Sequence, residues 1–168
     1  MTDPRTQLVS QLAPVLETVA RMPLADCHDG DAAARLREQL EQALPGGGPV
    51  ASEIGTTLRQ GLEEGWLCDR GEPKARFSRV AKASKDTHDL SIDIVALDGP
   101  ALRHGHPQGE ITLGFPIDPS ATDSRFDGHE AGWVVMPVGS VHTPTVTGSP
   151  MLLLYFLPQG AMDWSPEA

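Results

Sequence analysis

The chain has 168 residues, 39% of them hydrophobic, and carries a formal net charge of −10. This length suffices for one domain with a sizeable core, and the acidic balance argues against nucleic acid or an anionic membrane surface as the main partner. The N-terminus has no apolar signal-like segment, no apolar run approaches the length of a membrane span, and there are only two cysteines. We therefore expect a cytoplasmic protein with reduced thiols and no membrane partner.

The first third of the chain has the apolar period of helices. One stripe runs from Leu8 to Val19 and contains Pro14, which predicts either a kinked helix or two short helices. A second helix is predicted from about Asp31 to Ala43. A third is predicted to begin at a Ser52 cap and to end at Gly65.

A linker and a change of pattern organise the rest of the chain. The run Pro45-Gly-Gly-Gly-Pro49 ends the second helix, and no Gly-Lys-Ser/Thr follows it, so we interpret it as a connection and not a phosphate loop. From Trp66 onward, short runs rich in β-branched and aromatic residues alternate with turn residues. We predict a helical extension over residues 1–64 and a β-barrel domain over 65–168. The predicted strands are Phe77–Ala83, Leu90–Leu97, Glu110–Phe115, Gly132–Met136, Val141–Val146 and Met151–Leu157.

Candidate metal ligands lie in two short segments. In His104-Gly-His106-Pro-Gln-Gly-Glu110 the two imidazoles are at i and i+2, on one face of a strand, and the Pro and Gly predict a bend that carries Glu110 back toward them. Pro137-Val-Gly-Ser-Val-His142 supplies a fourth ligand. Imidazole and carboxylate ligands without thiolates suit Fe, Mn, Co, Ni or Zn and do not select one of them. The alternative is a set of unconnected surface or core histidines.

The two segments resemble the motifs of the cupin superfamily. That pattern is a glycine, His-x-His, three or four residues, Glu and Gly, followed by Gly, Pro-x-Gly-x-x-His and Asn. The resemblance implies a mainly β protein with a single small cupin-type barrel, that is, a double-stranded β-helix or jelly roll. Three details depart from the pattern: Gly99 is one residue too close to His104, the gap from Glu110 to Gly114 is short, and Val146 replaces the Asn. The matching residues are Gly99, His104, His106, Glu110, Gly114, Gly132, Pro137, Gly139 and His142.

Longer phrases between Gly65 and Trp164 are similar to the bacterial 4-hydroxylaminobenzoate lyase family. The resemblance implies conversion of an aromatic hydroxylamine with a para carboxylate to 3,4-dihydroxybenzoate, with release of ammonia. A divalent metal held by His104, His106, Glu110 and His142 would polarise the hydroxylamino oxygen or lower the pKa of a bound water. If no metal is needed, Glu110 is the candidate general acid or base. The phrases include Gly65-Trp-Leu-Cys68, Arg79-Val-Ala-Lys82, Leu90-Ser-Ile-Asp93, Phe126-Asp-Gly128, Gly132-Trp-Val-Val135 and Leu154-Tyr-Phe-Leu-Pro158.

A para carboxylate needs a cationic anchor, and six of the 13 basic residues lie between Arg70 and Lys85. Arg79 and Arg76 are the first choices because a guanidinium binds a carboxylate with two parallel hydrogen bonds. Lys82 is a third candidate, although a strand can turn only one of Arg79 and Lys82 inward. The alternative for each is a solvated strand face. Trp133 is a candidate to stack on the ring and Tyr155 to donate a proton, against the alternative of core packing for both.

Two other functions fit the same residues. An Fe(II) cupin dioxygenase acting on a small aromatic or thiol substrate would use the same ligands, and its dependence on O₂ would distinguish it from a lyase. A non-catalytic small-molecule-binding cupin is the second alternative, although the acidic helices lack the basic recognition helix that a DNA-binding sensor would carry. In every case we expect the helices to pack on the barrel or at a homodimer interface.

Overall fold

The computed structural model describes residues 2–166, with the helices before the strands. Within that range the helices are α1 (Pro4–Gln11), α2 (Ala13–Arg21), α3 (Gly30–Ala43) and α4 (Pro49–Glu64). The strands are β1 (Arg70–Glu72), β2 (Ala75–Ala81), β3 (Leu90–Pro100), β4 (His104–His106), β5 (Glu110–Pro116), β6 (Arg125–Phe126), β7 (Gly132–Met136), β8 (Ser140–His142) and β9 (Thr145–Pro158).

The helix predictions are confirmed except at one end. Two short helices, and not one kinked helix, meet at Leu12. The side chain of Asp29 caps α3 by accepting a hydrogen bond from the backbone N–H of Ala32. The predicted Ser52 cap of α4 is wrong, because Pro49 already occupies the first helical position, where its missing N–H costs nothing. Gly65 ends α4 as predicted, with a left-handed φ of 84°.

The strands form an antiparallel cupin-type barrel of two sheets. The large sheet has the order β1-β2-β3-β9-β5-β7, with β6 also paired to β9, and the small sheet pairs β4 with β8. The chain therefore leaves the large sheet after β3, crosses to β4 and returns in β5. It repeats the excursion from β7 through β8 to β9. This alternation confirms the predicted fold class and places both histidine segments in the small sheet.

Two strand predictions are wrong in detail. The predicted strands Val141–Val146 and Met151–Leu157 are divided differently: β8 ends at His142, and a single strand of 14 residues runs from Thr145 to Pro158. The break falls at the Thr143-Pro144 step because a proline has no N–H for the ladder. The short strand β1 was not predicted, since its sequence Arg-Gly-Glu has no apolar alternation.

The large sheet separates two apolar clusters. Along β9, Leu154 and Phe156 belong to the cluster that packs against the helices, whereas Leu153 and Tyr155 belong to the cluster inside the barrel. Because the first cluster is continuous from α1 through to the sheet, the helices and the barrel share one core. The division into domains at residues 64 and 65 stays a prediction. Within residues 2–166, no helix combines the length and the apolar character that crossing a membrane requires.

Helix α3 covers the outer edge of β7 through side-chain contacts to backbone groups. Arg37 Nε donates to the carbonyl oxygen of Trp133 at 2.6 Å, and Glu41 Oε1 accepts from the N–H of Trp133 at 3.3 Å. Glu41 Oε2 accepts from the N–H of Gly46 at 3.0 Å. A Cβ at Gly46 would lie 2.8 Å from the Cα of Gly132, so the linker glycine permits a close approach of two backbones.

We expect Glu41→Ala to destabilise the fold. The substitution leaves the amides of Trp133 and Gly46 without their acceptor, and a lost partner of this kind costs about 1–3 kcal/mol of unfolding free energy. Urea denaturation followed by circular dichroism measures the change. Glu38→Ala is the control, because Glu38 is exposed on the same helix. Equal stability of the two variants would show that the edge contact contributes nothing.

Candidate metal centre

The pairing of β4 with β8 brings three imidazoles together. His104 is the register partner of His142, and His106 is the partner of Ser140. The three Nε2 atoms form a triangle, with 3.1 Å from His104 to His106, 2.9 Å from His106 to His142 and 3.1 Å from His142 to His104. His104 is 5% exposed and His106 is fully buried, so the group faces the interior of the barrel. The histidines predicted as ligands therefore do meet.

A single carbonyl holds the two histidine segments in place. The oxygen of His106 accepts the N–H of Gly109 at 3.0 Å and the N–H of Gly139 at 2.8 Å, so one turn from each segment closes on the same residue. Gly109 has a left-handed φ of 78°, and a Cβ there would lie 2.9 Å from Cδ1 of Leu24 and 3.0 Å from the carbonyl oxygen of Met136. Only glycine fits this bend, which carries the chain from His106 to Glu110.

Hydrogen bonds on the far side of two rings fix their tautomers. His104 Nδ1 lies 3.0 Å from the carbonyl oxygen of Leu102, and His142 Nδ1 lies 2.7 Å from Oδ2 of Asp127. Both oxygens are acceptors, so each Nδ1 carries the proton and each Nε2 presents a lone pair to the other at 3.1 Å. Two facing lone pairs repel unless a cation lies between them. Burial lowers the pKa of His104, which disfavours a proton as that cation.

The donor set fits a divalent transition metal. Two ligands at right angles on a metal with bonds of about 2.1 Å lie about 3.0 Å apart, which is the spacing of this triangle. Within the described residues, the group of side chains that could hold a metal ion consists of His104, His106 and His142. Neutral imidazoles suit Zn, Fe, Co, Ni and Mn, so the donors do not identify the metal. The outer hydrogen bonds from Leu102 and Asp127 are those that orient metal-bound histidines.

Glu110, predicted as the fourth ligand, lies beside the triangle and not in it. Its Oε1 accepts a hydrogen bond from Oγ1 of Thr112 at 2.8 Å, and its Oε2 lies 3.5 Å from Nδ1 of His106, behind the ring. Among residues 2–166, neither Oε2 nor that Nδ1 has a hydrogen-bond partner. Burial raises the pKa of Glu110 to about 7 and lowers the pKa of His106 to about 3, so both shifts favour the uncharged pair. Glu110 therefore lies next to His106 and outside the group of three imidazole Nε2 atoms.

Tyr155 lies on the same inner face of the large sheet. It is the register partner of Thr112, which bonds Glu110, and it is 7% exposed. Burial raises the pKa of its phenol well above its usual value. The phenol therefore keeps its proton, and its role as a proton donor stays a prediction.

The three basic candidates lie in different places. Arg79 pairs in register with Asp93, which in turn pairs with Tyr155, so Arg79 is on the inner face. Its Nε donates to Oδ1 of Asp93 at 2.9 Å. Arg76 lies on the opposite face of β2, the face whose residue Val80 packs toward the helices. Lys82 follows the end of β2 and is exposed. Of the three, only Arg79 lies on the inner face of the large sheet.

Trp133 corrects the prediction of a stacking residue. It is fully buried in the cluster beneath the helices, and its Nε1 donates to the carbonyl oxygen of Leu44 at 2.8 Å. Along β7, Val134 and Met136 pack with the inner cluster instead. Since Trp133 and Val134 point to opposite faces of the sheet, Trp133 cannot line the barrel interior. Its observed role is packing, which was the alternative considered from the sequence.

Two residues next to the histidines were missed by sequence reasoning. Asp127 bonds both His142 and, through Oδ1, the N–H of Thr145 at 2.9 Å. The Asp-Gly turn at 127–128 was a visible signal, since such a turn directs a carboxylate toward nearby backbone and side chains. The ring of Trp164 lies 5.2 Å from that of His104, centroid to centroid. It stands after the last predicted strand, where no periodic pattern draws attention to it.

Comparison with known proteins gives consistent matches. A protein-family model described as 4-hydroxylaminobenzoate lyase matches residues 18–164. The chain is 27% identical over 160 residues to a 4-hydroxylaminobenzoate lyase of Pseudomonas putida, covering 86% of this chain and 91% of that one. It is 26% identical over 136 residues to an enzyme of the same name from Nocardioides sp. (strain LMS-CY), covering 77% and 80%. Among solved structures it is similar to an RmlC-like cupin protein from Ralstonia eutropha JMP134, with a TM-score of 0.38 and 15% identity over 52% of this chain and 57% of that one.

We expect Asp127→Asn to weaken metal binding about 10- to 100-fold, the usual effect of removing an outer partner of a metal-bound histidine. Asparagine tolerates the positive φ of 48° at this position, but its single oxygen cannot serve both His142 and the Thr145 amide. Competition with a chelator, followed by metal analysis, measures the affinity. Asp123→Asn, at an exposed carboxylate that bonds Ser149, is the control. Unchanged affinity in Asp127→Asn would remove Asp127 from the metal centre.

Proposed function

The chain belongs to the 4-hydroxylaminobenzoate lyase family, and we propose that it is a metal-dependent lyase that converts a hydroxylamino-aromatic acid, 4-hydroxylaminobenzoate or a close relative, to a dihydroxybenzoate with release of ammonia. The convergence of three imidazole Nε2 atoms inside the barrel is the observation that carries the proposal. A cytoplasmic location and a homodimer remain part of the hypothesis.

The reaction needs no external oxidant or reductant. Protonation of the hydroxylamino oxygen lets it leave as water when the N–O bond breaks, and one water then adds to the ring carbon beside the C–N bond. A second water replaces the nitrogen, which leaves as ammonia, so that one water is consumed overall. A metal held by His104, His106 and His142 would supply a Lewis acid for the hydroxylamino oxygen or for the attacking water. Glu110 is our candidate for holding and moving the proton, because its Oε2 is buried and has no hydrogen-bond partner in the part of the chain that the structure describes. Tyr155 is our candidate for a second proton donor.

Arg79 is our candidate anchor for the substrate carboxylate. It stands three strand spacings from Thr112 along one row of the sheet, about 14 Å between backbones. Arg79 and Thr112, which bonds Glu110, therefore lie on one row of the inner face. The side chain of Arg79 is 48% exposed, so its ion pair with Asp93 is worth only about 0–1 kcal/mol. A carboxylate can therefore share or replace this contact at little cost.

The deciding experiment is an anaerobic assay of purified protein with 4-hydroxylaminobenzoate, measuring ammonia and dihydroxybenzoate while mass spectrometry determines the metal content. We expect both products from the metal-loaded protein and loss of turnover after chelation, with recovery when metal is restored. Turnover by fully metal-free protein would overturn the metal requirement. Turnover that appears only with O₂ would favour an Fe(II) dioxygenase, since three imidazoles suit that chemistry as well.

We expect Arg79→Ala to raise KM about tenfold with little change in kcat, because a charge-assisted carboxylate contact is lost while the metal centre is untouched. Arg79→Lys should recover part of the loss, as a lysine keeps the charge but not the paired geometry. Steady-state kinetics of ammonia release measures both. Arg76→Ala is the matched control, since Arg76 is an exposed arginine on the other face of β2. A KM unchanged by Arg79→Ala would exclude Arg79 as the anchor.

A further inference from the structure

The segment around Asp163 extends the small sheet at β4. Gly105 N–H donates to the Asp163 carbonyl at 2.7 Å, and Asp163 N–H donates to the Gly105 carbonyl at 2.9 Å. This exchange defines a directly opposed antiparallel pair. Arg103 Nη1 also donates to the carbonyl oxygen of Pro166 at 3.3 Å. The segment is therefore held against β4 on both sides of Trp164.

The direction of the neighbouring side chains places Trp164 on the inner face. A Cβ at Gly105 would lie 3.4 Å from Cγ2 of Val141 and 3.6 Å from Cβ of Asp163, so these residues share the outer face of the small sheet. Because side chains alternate along a strand, Trp164 points to the opposite face, where His104 also points. The edge-to-face contact of the Trp164 and His104 rings agrees with that direction.

The exposure of Trp164 is unlike that of its neighbours. The residue is 63% exposed, whereas His104 beside it is 5% exposed. An indole that is ordered by backbone hydrogen bonds, yet open to solvent next to the metal centre, offers a flat apolar surface to a ligand entering from that side. Val50 is also an exposed hydrophobic residue, but it lies on α4 and not beside the histidines.

We propose that Trp164 binds the aromatic ring of the substrate and makes the site selective for aryl acids. The proposal rests on the proposed function and names the residue that contacts the ring, in place of the buried Trp133. The indole would stack on the ring at the mouth of the metal centre while the opposite wall of the barrel supplies Arg79 for the carboxylate.

The test uses the metal-loaded full chain and 4-hydroxybenzoate, a para-substituted benzoate without a hydroxylamine, as the probe. We expect Trp164→Ala to weaken its binding about three- to tenfold by calorimetry, and Trp164→Phe, which keeps an aromatic ring, to bind within about twofold of the parent. The probe should quench tryptophan fluorescence in the parent but not in Trp164→Phe, because the other two tryptophans lie away from the site. Trp133 is buried in the cluster beneath the helices, and Trp66 packs against the same cluster. Val50→Ala is the control for removal of an exposed apolar side chain.

The outcomes separate the two proposals. If the parent releases ammonia and binds the probe while Trp164→Ala binds it equally well, the role of Trp164 is wrong and the lyase proposal stands. If Trp164→Ala loses its metal, the contact with His104 is structural and the binding role is also overturned. If the parent neither binds the probe nor turns over the hydroxylamine, the lyase proposal fails and the role of Trp164 fails with it.

Discussion

The pairing of β4 with β8 is the constraint on which the candidate metal centre depends. Each strand has only three residues, so the small sheet has few ladder bonds with which to resist a shift in register. A slip of one residue would turn both histidines of β4 to the outer face. The carbonyl oxygen of His106 opposes such a slip, because it accepts hydrogen bonds from the N–H groups of Gly109 and Gly139 in the two turns. The position of the imidazoles thus follows from backbone contacts that involve no imidazole.

The surroundings of the rings make the group suited to a cation. Leu102 and Asp127 direct the lone pairs of two imidazoles inward, and burial lowers the pKa of His104. Glu110 sits behind the third ring in a position that can compensate charge introduced at the triangle. The direction of these lone pairs supports a candidate metal site more strongly than the proximity of three histidines does alone.

Much of this architecture could be predicted from sequence because it depends on local patterns. Three local patterns each determine a conformation within a few residues. They are the apolar stripe of the first helices, the glycine that ends α4 at Gly65, and the His-x-His spacing of β4. The failures concern long-range placement. Two positions depend on how sheets and helices pack. One is the face of β7 to which Trp133 points, and the other is Glu110, which lies behind the His106 ring and not among the three Nε2 atoms. Neither follows from alternation alone, which gives two faces without saying which one is inside.

The contacts of α3 with β7 affect how this barrel can meet other chains. A sheet ends in strands whose free backbone groups can recruit a strand from another molecule, and Arg37 and Glu41 occupy those groups at Trp133. The other end of the large sheet is β1, which is three residues long, begins with Arg70, ends with Glu72 and is followed by Pro73. Short length, charge and proline discourage growth of the sheet there as well. Protection against β-type aggregation is thus built into both ends of the sheet by different means.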